Sequence, residues 1–475
     1  MPSVPLRVPA ADPPFASAFA RVREALEVPA AFPPAVATEA EELAARGPGS
    51  APRIDALDVP FVSIDPPGSR DLDQAFAAER RPSGFRVRYA IADVAAFVPP
   101  GSQVDRESHA RGVTLYLPDG RAPLLPPVLG EGAASLLPGV DRPALLWTID
   151  LDADGRQVAA SLQRATVRNR AALSYAEVQG RVEGGAAEEP LLLLREVGER
   201  RRRLERERGG VSLDLPTQEV VATDGGWGLA YERPLPVEQW NEQISLLAGM
   251  AAAAVMVEAG VGILRTLPPP AQALIDRLRR TARALGVTWP EGSSWAEVVD
   301  GLDRGRPDDA AFLVQAAHTL RGAGYDAVGP PGAPVPVHAA VAAPYAHVTA
   351  PLRRLADRYA NELVLAHVAV VTPPAWAVDA LPELVATMER ATRHQAEVER
   401  AVVDAVECAV LANRVGETFA GVVVDTRRAG VVVQLARPAV VAPLPAAVPL
   451  GDEVRVRLVG VDPATRSVEL AAVDR

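Results

Sequence analysis

Period-two alternation of apolar and polar residues occurs in two separate blocks of this chain, with a long helical block between them. The first block contains VPFVSI, AFAAER, FRVRYAIADV, ALLWTIDLD and QVAASLQRATV, short runs of the kind that make half-buried strands. The second occupies residues 413–475, where GETFAGVVVDTRRAGVVVQL and GDEVRVRLVGVDPATRSVEL are broken by Gly, Arg-Arg and Asp-Pro turns. Helical spacing fills Tyr175–Glu207, Val237–Ala259, Ala271–Leu285, Ser294–Leu302, Asp308–Ala323 and Leu381–Ala412. Strands and helices segregated in this way predict an α+β main domain, not a chain of βαβ units. The expected boundaries are a Pro- and Ala-rich arm over 1–56, a main domain over 57–412 and an all-β OB-type barrel over 413–475. Within the arm, helices are expected near Ala16–Leu26 and Ala35–Arg46.

Composition narrows the function classes. Apolar residues make up 48% and charged residues 23%, enough for a sizeable core without staples. The single cysteine, Cys408, excludes an internal disulfide framework and any zinc site built on several thiolates. The N-terminus lacks a basic segment followed by an apolar run, and the apolar stretch Ile244–Val255 is too short to span a bilayer. The expectation is a cytoplasmic protein, a monomer, without a membrane partner or an organic cofactor. A formal charge of −11 argues at first sight against a nucleic-acid partner. Every basic residue is an arginine, however, with no lysine in the chain, and arginine suits bidentate phosphate contacts. An acidic protein can still hold RNA in an internal arginine-lined channel.

Ile64–Phe76 reads IDPPGSRDLDQAF. Asp71 and Asp73 are expected to alternate within a short strand and so to face the same way. Asp65 ends the preceding strand, and Pro66-Pro67-Gly68 is a turn able to fold it back beside them. Three converging carboxylates repel unless a cation lies between them, and hard oxygen donors select Mg²⁺ or Mn²⁺ over zinc. An EF-hand is excluded, because the sixth position counted from Asp71 is Phe76 and not Gly. Three aspartates in a solvated turn is the alternative.

Tyr345–Arg358 reads YAHVTAPLRRLADR. Pro351 is expected to open a helix, with Thr349 as its N-cap. That helix start and Arg353 and Arg354 together make an anion site for substrate. The alternative is an ordinary capped helix with a solvated basic face. An oxygen-ligand cluster and an arginine-bearing loop are together what phosphodiester hydrolysis needs.

These two segments and the chain between them, about Phe61–Leu411, resemble the catalytic domain of the RNase II (RNB) family of 3′→5′ exoribonucleases. IDPPGSRDLDQAF is similar to the family's aspartate motif. YAIADVAAFVPPGSQVDRESHARGVTLYLPDGRAPLLPP, NRAALSYAEVQ, LDLP and HAAVAAPYAHVTAPLRRLADRY resemble later landmarks in the family's order. The resemblance implies a funnel-like mixed α/β domain admitting single-stranded RNA, cut hydrolytically from the 3′ end into nucleoside 5′-monophosphates. It implies two Mg²⁺ ions, or Mn²⁺, at a buried site. By motif position Asp65, Asp71 and Asp73 take metal and catalytic places, and Arg353 the arginine at the scissile phosphate. Tyr116 takes the aromatic that stacks on a terminal base, Tyr175 a second base-contacting tyrosine, and Glu242 an acidic position facing substrate.

Departures from the pattern matter. Gln74 stands where the family usually has a fourth acidic residue, Ala350 where Ser is usual and Asn361 where His is usual. An amide oxygen at Gln74 can ligate a metal or hold its water but brings no charge. The alternative function is therefore an RNA-binding protein whose nuclease activity is weakened or lost. Long members of the family carry two cold-shock-type domains before the catalytic one, which the first 60 or so residues here cannot contain; a weaker grip on long RNA follows. Arg200–Arg208 is expected to be a solvated helix face with Arg/Glu pairs at four-residue spacing.

Overall fold

The computed structural model describes residues 6–7, 13–213, 217–223, 226–232, 234–303, 306–330, 332–435, 438 and 440–473. Asp214–Pro216 of the LDLP landmark lie outside the described residues.

The first alternating block closes on itself. Strands β1 (Ile54–Ile64), β2 (Gln74–Arg81), β3 (Gly84–Ala92), β4 (Asp141–Asp152) and β5 (Gln157–Leu173) form a closed barrel in that order. Closure needs β1 to serve two neighbours. It pairs antiparallel with β2 at Val62↔Phe76 and parallel with β5 over Ile54–Ile64, with register shifts around Phe61 that bend it. Phe61, Phe76, Val87, Tyr89, Trp147 and Leu162 are buried in this part of the molecule. Alternation forecasts each strand, but not the closure, because period two is the same in an open sheet and a barrel.

The expected N-terminal arm is docked. Helix α1 (Pro13–Ala25) buries Phe15, Phe19 and Val22 and packs on the long helix α5 (Leu381–Leu411). The ring of His394 contacts the Leu26 carbonyl at 2.8 Å. Helix α2 (Pro34–Arg46) buries Val36, Ala40 and Leu43. Helix α3 (Pro236–Ala259) is apolar nearly all round. By length and composition it could cross a membrane, yet half of its apolar window is buried here, and it packs against helices Glu189–Glu207 and α4 (Leu355–Val368). Such all-round apolarity marks a core helix.

The charge run corrects the expectation of a solvated face. Arg195–Glu199 and Arg203–Glu207 do pair at four-residue spacing on the surface. Arg201 and Glu205, by contrast, are buried: Arg201 donates to the Gly155 carbonyl, and Glu205 accepts from Ser212 and Gln243.

The second alternating block is a separate antiparallel sheet. Strands β6 (Thr418–Arg427), β7 (Gly430–Leu435), β8 (Val441–Leu444), β9 (Glu453–Asp462) and β10 (Ser467–Ala472) run in the order β8-β7-β6-β9-β10, with the edge strands β8 and β10 in contact. That is the expected OB-type arrangement. Val456 and Leu458 point to its core, while Arg455 and Arg457 are exposed. Val424 and Val432 pack against Leu278, Leu285 and Phe312 of the helical block, and Arg277 pairs with Asp425.

Candidate active site

Asp71-Leu72-Asp73 does not continue the strand as expected. β2 begins at Gln74, and the three residues before it are irregular. The cause is local: the Leu72 N–H donates to Ser135 Oγ, and its carbonyl accepts from the Leu136 N–H. A strand would need those groups for a neighbouring strand. Leu72 and Asp73 are both buried, so the period-two alternation is broken here. A buried polar network fixes the segment from behind. Asn169 donates to Ser63 Oγ and to the Leu136 carbonyl, Ser63 Oγ donates to the Gln74 carbonyl, and Ser135 Oγ donates to the Arg70 carbonyl. Pro66-Pro67-Gly68 turns as expected, with Gly68 at φ +79° and Ser69 N–H on the Pro66 carbonyl.

The arginine loop also departs from expectation. The helix starts at Leu355, four residues after Pro351, and Arg354 is extended at φ −139° and ψ 124°. Tertiary bonds hold the loop out of helix: the Arg353 carbonyl accepts from the Thr114 N–H, and the Leu355 N–H donates to the Gly112 carbonyl. Asp357, fully buried, accepts from the Ala350 N–H at 2.6 Å and from two nitrogens of Arg354 at 2.8 and 2.9 Å. Arg354 is therefore committed to its own helix. Arg353 points the other way, with Nε 3.2 Å from Asp73 Oδ2 and 43% of its side chain exposed.

Asp73 joins the two segments. Its Oδ1 accepts from the Leu352 N–H at 2.7 Å, and the side chain is 3% exposed. Burial pushes its carboxyl up to about 8, against the opposing pull of Arg353 and Leu352 N–H. Burial likewise pushes Asp65 up to about 6, with Arg353 opposing and Asp71 adding to the rise. In the aspartate motif, Asp65 Oδ2 and Gln74 Oε1 are buried without a hydrogen-bond partner. Asp71 is fully engaged, Oδ1 accepting from Arg121 at 2.5 Å and Oδ2 from the Tyr116 hydroxyl at 3.0 Å. The charge of Asp71 reaches both Asp65 and Asp73, yet among the described residues no three His, Cys, Asp or Glu side chains meet in metal-binding geometry.

The remaining expected residues divide. Tyr116, 44% exposed, sits beside Asp71. Tyr175 opens the helix capped by Ser174 and is half-buried; burial, Asp65 and Glu238 push its hydroxyl up to about 12, and Asn241 hydrogen-bonds it. Thr349 is buried within the arginine loop. Glu242 lies on the exposed side of α3, where its charge bears on Tyr345. Asn361 donates to the Val348 carbonyl. Two residues near the site had no sequence signal beyond their type: Arg121, and Glu131, which pairs with Arg121 at 2.8 Å. The Asp357 carboxylate was findable, as it follows Arg354 by three residues, in the first turn of the helix.

Comparison with known proteins decides the family. The RNB domain matches residues 53–369, two thirds of the chain, and an RNase II-type exonuclease C-terminal S1 domain matches residues 417–473. The chain belongs to the RNB family. Among curated RNB relatives, the Arabidopsis thaliana exosome complex exonuclease RRP44 homolog A is 30% identical over 68% of this chain and 36% of that protein. Escherichia coli ribonuclease R is 26% identical over 86% of this chain and 53% of that protein. The chain thus spans about half or less of their length. The solved fold of Mycoplasma genitalium RNase R, in complex with ribose-methylated single-stranded RNA, superposes with a TM-score of 0.86 at 20% identity, covering 97% of this chain and 78% of that one. Yeast Ssd1, described as a pseudonuclease, superposes at 0.69 with 17% identity, covering 94% and 56%. The RNB fold therefore occurs with and without nuclease activity, and the side chains at Asp73 have to discriminate.

Proposed function

We propose that this RNB protein is a 3′→5′ exoribonuclease that hydrolyses single-stranded RNA to nucleoside 5′-monophosphates with Mg²⁺, or Mn²⁺, at Asp73. The observation that carries the reading is the buried Asp73 carboxylate, held by Leu352 N–H and facing Arg353, with two partnerless buried oxygens nearby. A desolvated carboxylate and orphaned oxygens are expensive without a cation, and oxygen donors fit a hard divalent ion. Asp65, Asp73 and Gln74 would hold it, with Asp71 if its present partners are displaced. Bound there, a divalent ion would supply Lewis-acid stabilisation and an activated water. Arg353, anchored through its backbone to Thr114, offsets charge developing on the scissile phosphate. Arg354 and Asp357 hold the loop that aims it. Tyr116 and Tyr175 contact the 3′-terminal bases, and the exposed arginines of β9 guide the strand.

Gln74 and the likeness to Ssd1 favour a second reading, RNA binding without cleavage. A time course on a 5′-labelled single-stranded oligoribonucleotide, with Mg²⁺, Mn²⁺ or EDTA, separates them. Metal-dependent shortening from the 3′ end, lost in Asp73→Asn, is the expected result. Binding of the oligomer without shortening under either metal would establish the second reading instead.

A further inference from the structure

Tyr116 and Arg121 are cross-strand partners in a small hairpin, Leu115–Leu117 paired with Gly120–Ala122. Directly opposed residues on a hairpin share a face and move together. Here both reach the same carboxylate: Tyr116 donates to Asp71 Oδ2, and Arg121 donates to Asp71 Oδ1. The other terminal nitrogen of Arg121 pairs with Glu131 at 2.8 Å. One guanidinium therefore bridges two carboxylates, one belonging to the aspartate segment and one not. The hairpin is itself braced, since Asp119 at its tip pairs with Arg23 of α1 at 2.7 Å.

This grip contrasts with the neighbouring oxygens. Asp65 Oδ2 and Gln74 Oε1 are buried without partners, whereas each oxygen of Asp71 already has a donor. An incoming cation and the Arg121 guanidinium need the same Asp71 oxygens, and each is repelled by the other's charge. On the proposed nuclease reading, we infer that Arg121 is a positioning residue that competes with the divalent ion for Asp71 and sets the metal affinity of the site. Glu131 is the alternative seat for Arg121 when Asp71 is taken. Because Tyr116 rides on the same hairpin, metal uptake at Asp71 also frees the Tyr116 hydroxyl and lets its ring adjust to a terminal base. The site thereby reads metal and 3′ end through one element.

Glu131→Gln and Arg121→Ala should act with opposite signs, which a merely structural role would not produce. Mn²⁺ binding to the full-length chain, followed by the electron paramagnetic resonance signal of free Mn²⁺, needs no RNA and no turnover. Arg121→Ala should bind Mn²⁺ about tenfold tighter, the scale of one charge-assisted hydrogen bond removed from the competitor. Arg121→Lys, which keeps the charge, should stay near the wild type. Glu131→Gln, which leaves Asp71 as the sole carboxylate on Arg121, should bind Mn²⁺ more weakly. Unchanged or weaker binding by Arg121→Ala, with the wild type still binding, would overturn this inference and leave the nuclease reading intact. No binding by either protein would overturn both.

Discussion

Two five-stranded β structures bracket this chain, and they use the same alternation differently. Along β9 of the C-terminal sheet the pattern runs clean: Val456 and Leu458 are buried while Arg455 and Arg457 between and beside them are exposed. In the N-terminal barrel burial runs through consecutive residues in several strands, and at the site it takes in Leu72, Asp73 and Gln74. The intact pattern makes a surface that an anionic strand can lie along. The interrupted one makes a pocket in which carboxylates lose their water. Chemistry collects where periodicity breaks, because burying polar groups there needs partners from far along the chain.

The strongest way to test that contrast is to remove the buried charge. Asp73 has a folded-state value of about 8 against an ordinary 3.8, so its raised carboxyl costs the metal-free protein stability as pH climbs from about 4 to about 8. Asp73→Asn should therefore gain thermal stability over the wild type across that window, on the order of 5 kcal/mol at the upper limit, and level off above it. Thermal melts in EDTA at several pH values measure this. A pH-independent difference would mean that Asp73 is better solvated than its burial indicates.

Removing the arginine that faces it should cost rate. Arg353→Ala is expected to lower kcat by about 10²–10³-fold, the scale of one missing transition-state donor. Single-turnover cleavage with saturating enzyme is the measurement. Behind the pocket, Asn169→Ala leaves Ser63 Oγ and the Leu136 carbonyl without a donor inside the barrel. A loss of about 1–3 kcal/mol in urea unfolding is expected, with activity falling alongside. The smallest effect belongs to the intact pattern. Arg455→Ala/Arg457→Ala should raise KM a few-fold and leave kcat unchanged. The salt slope of RNA binding should fall by roughly 0.7 for each phosphate that the two arginines no longer neutralise.

Much of this architecture was legible from residues alone, and the failures share a physical cause. Strand and helix segments followed their periods, and the OB-type sheet and the long helices fell close to the expected positions. Helix α4 opened late because Asp357 captured the Ala350 N–H and Gly112 captured that of Leu355, bonds outside the reach of a Pro-at-N1 rule. Asp71 is near enough to add to the rise of both Asp65 and Asp73, but its oxygens hold Arg121 and Tyr116. Nothing in a single sequence says which of several arginines a carboxylate will choose. The residues proposed to hold a metal were nameable because motif order carries them; their hydrogen bonds were not.

The bond between Asp73 and the Leu352 amide links residues 279 positions apart. Chain is made from the N-terminus, so the oxygen-bearing half of the pocket leaves the ribosome long before the arginine-bearing half. A polypeptide still being translated would carry the aspartates next to its own message but lack the loop that completes them. On the proposed reading, its cutting ability would arrive only after the arginine loop has been made. Distance along the chain thus acts as a delay, keeping the proposed RNA-degrading site incomplete until the chain has been made past Leu352.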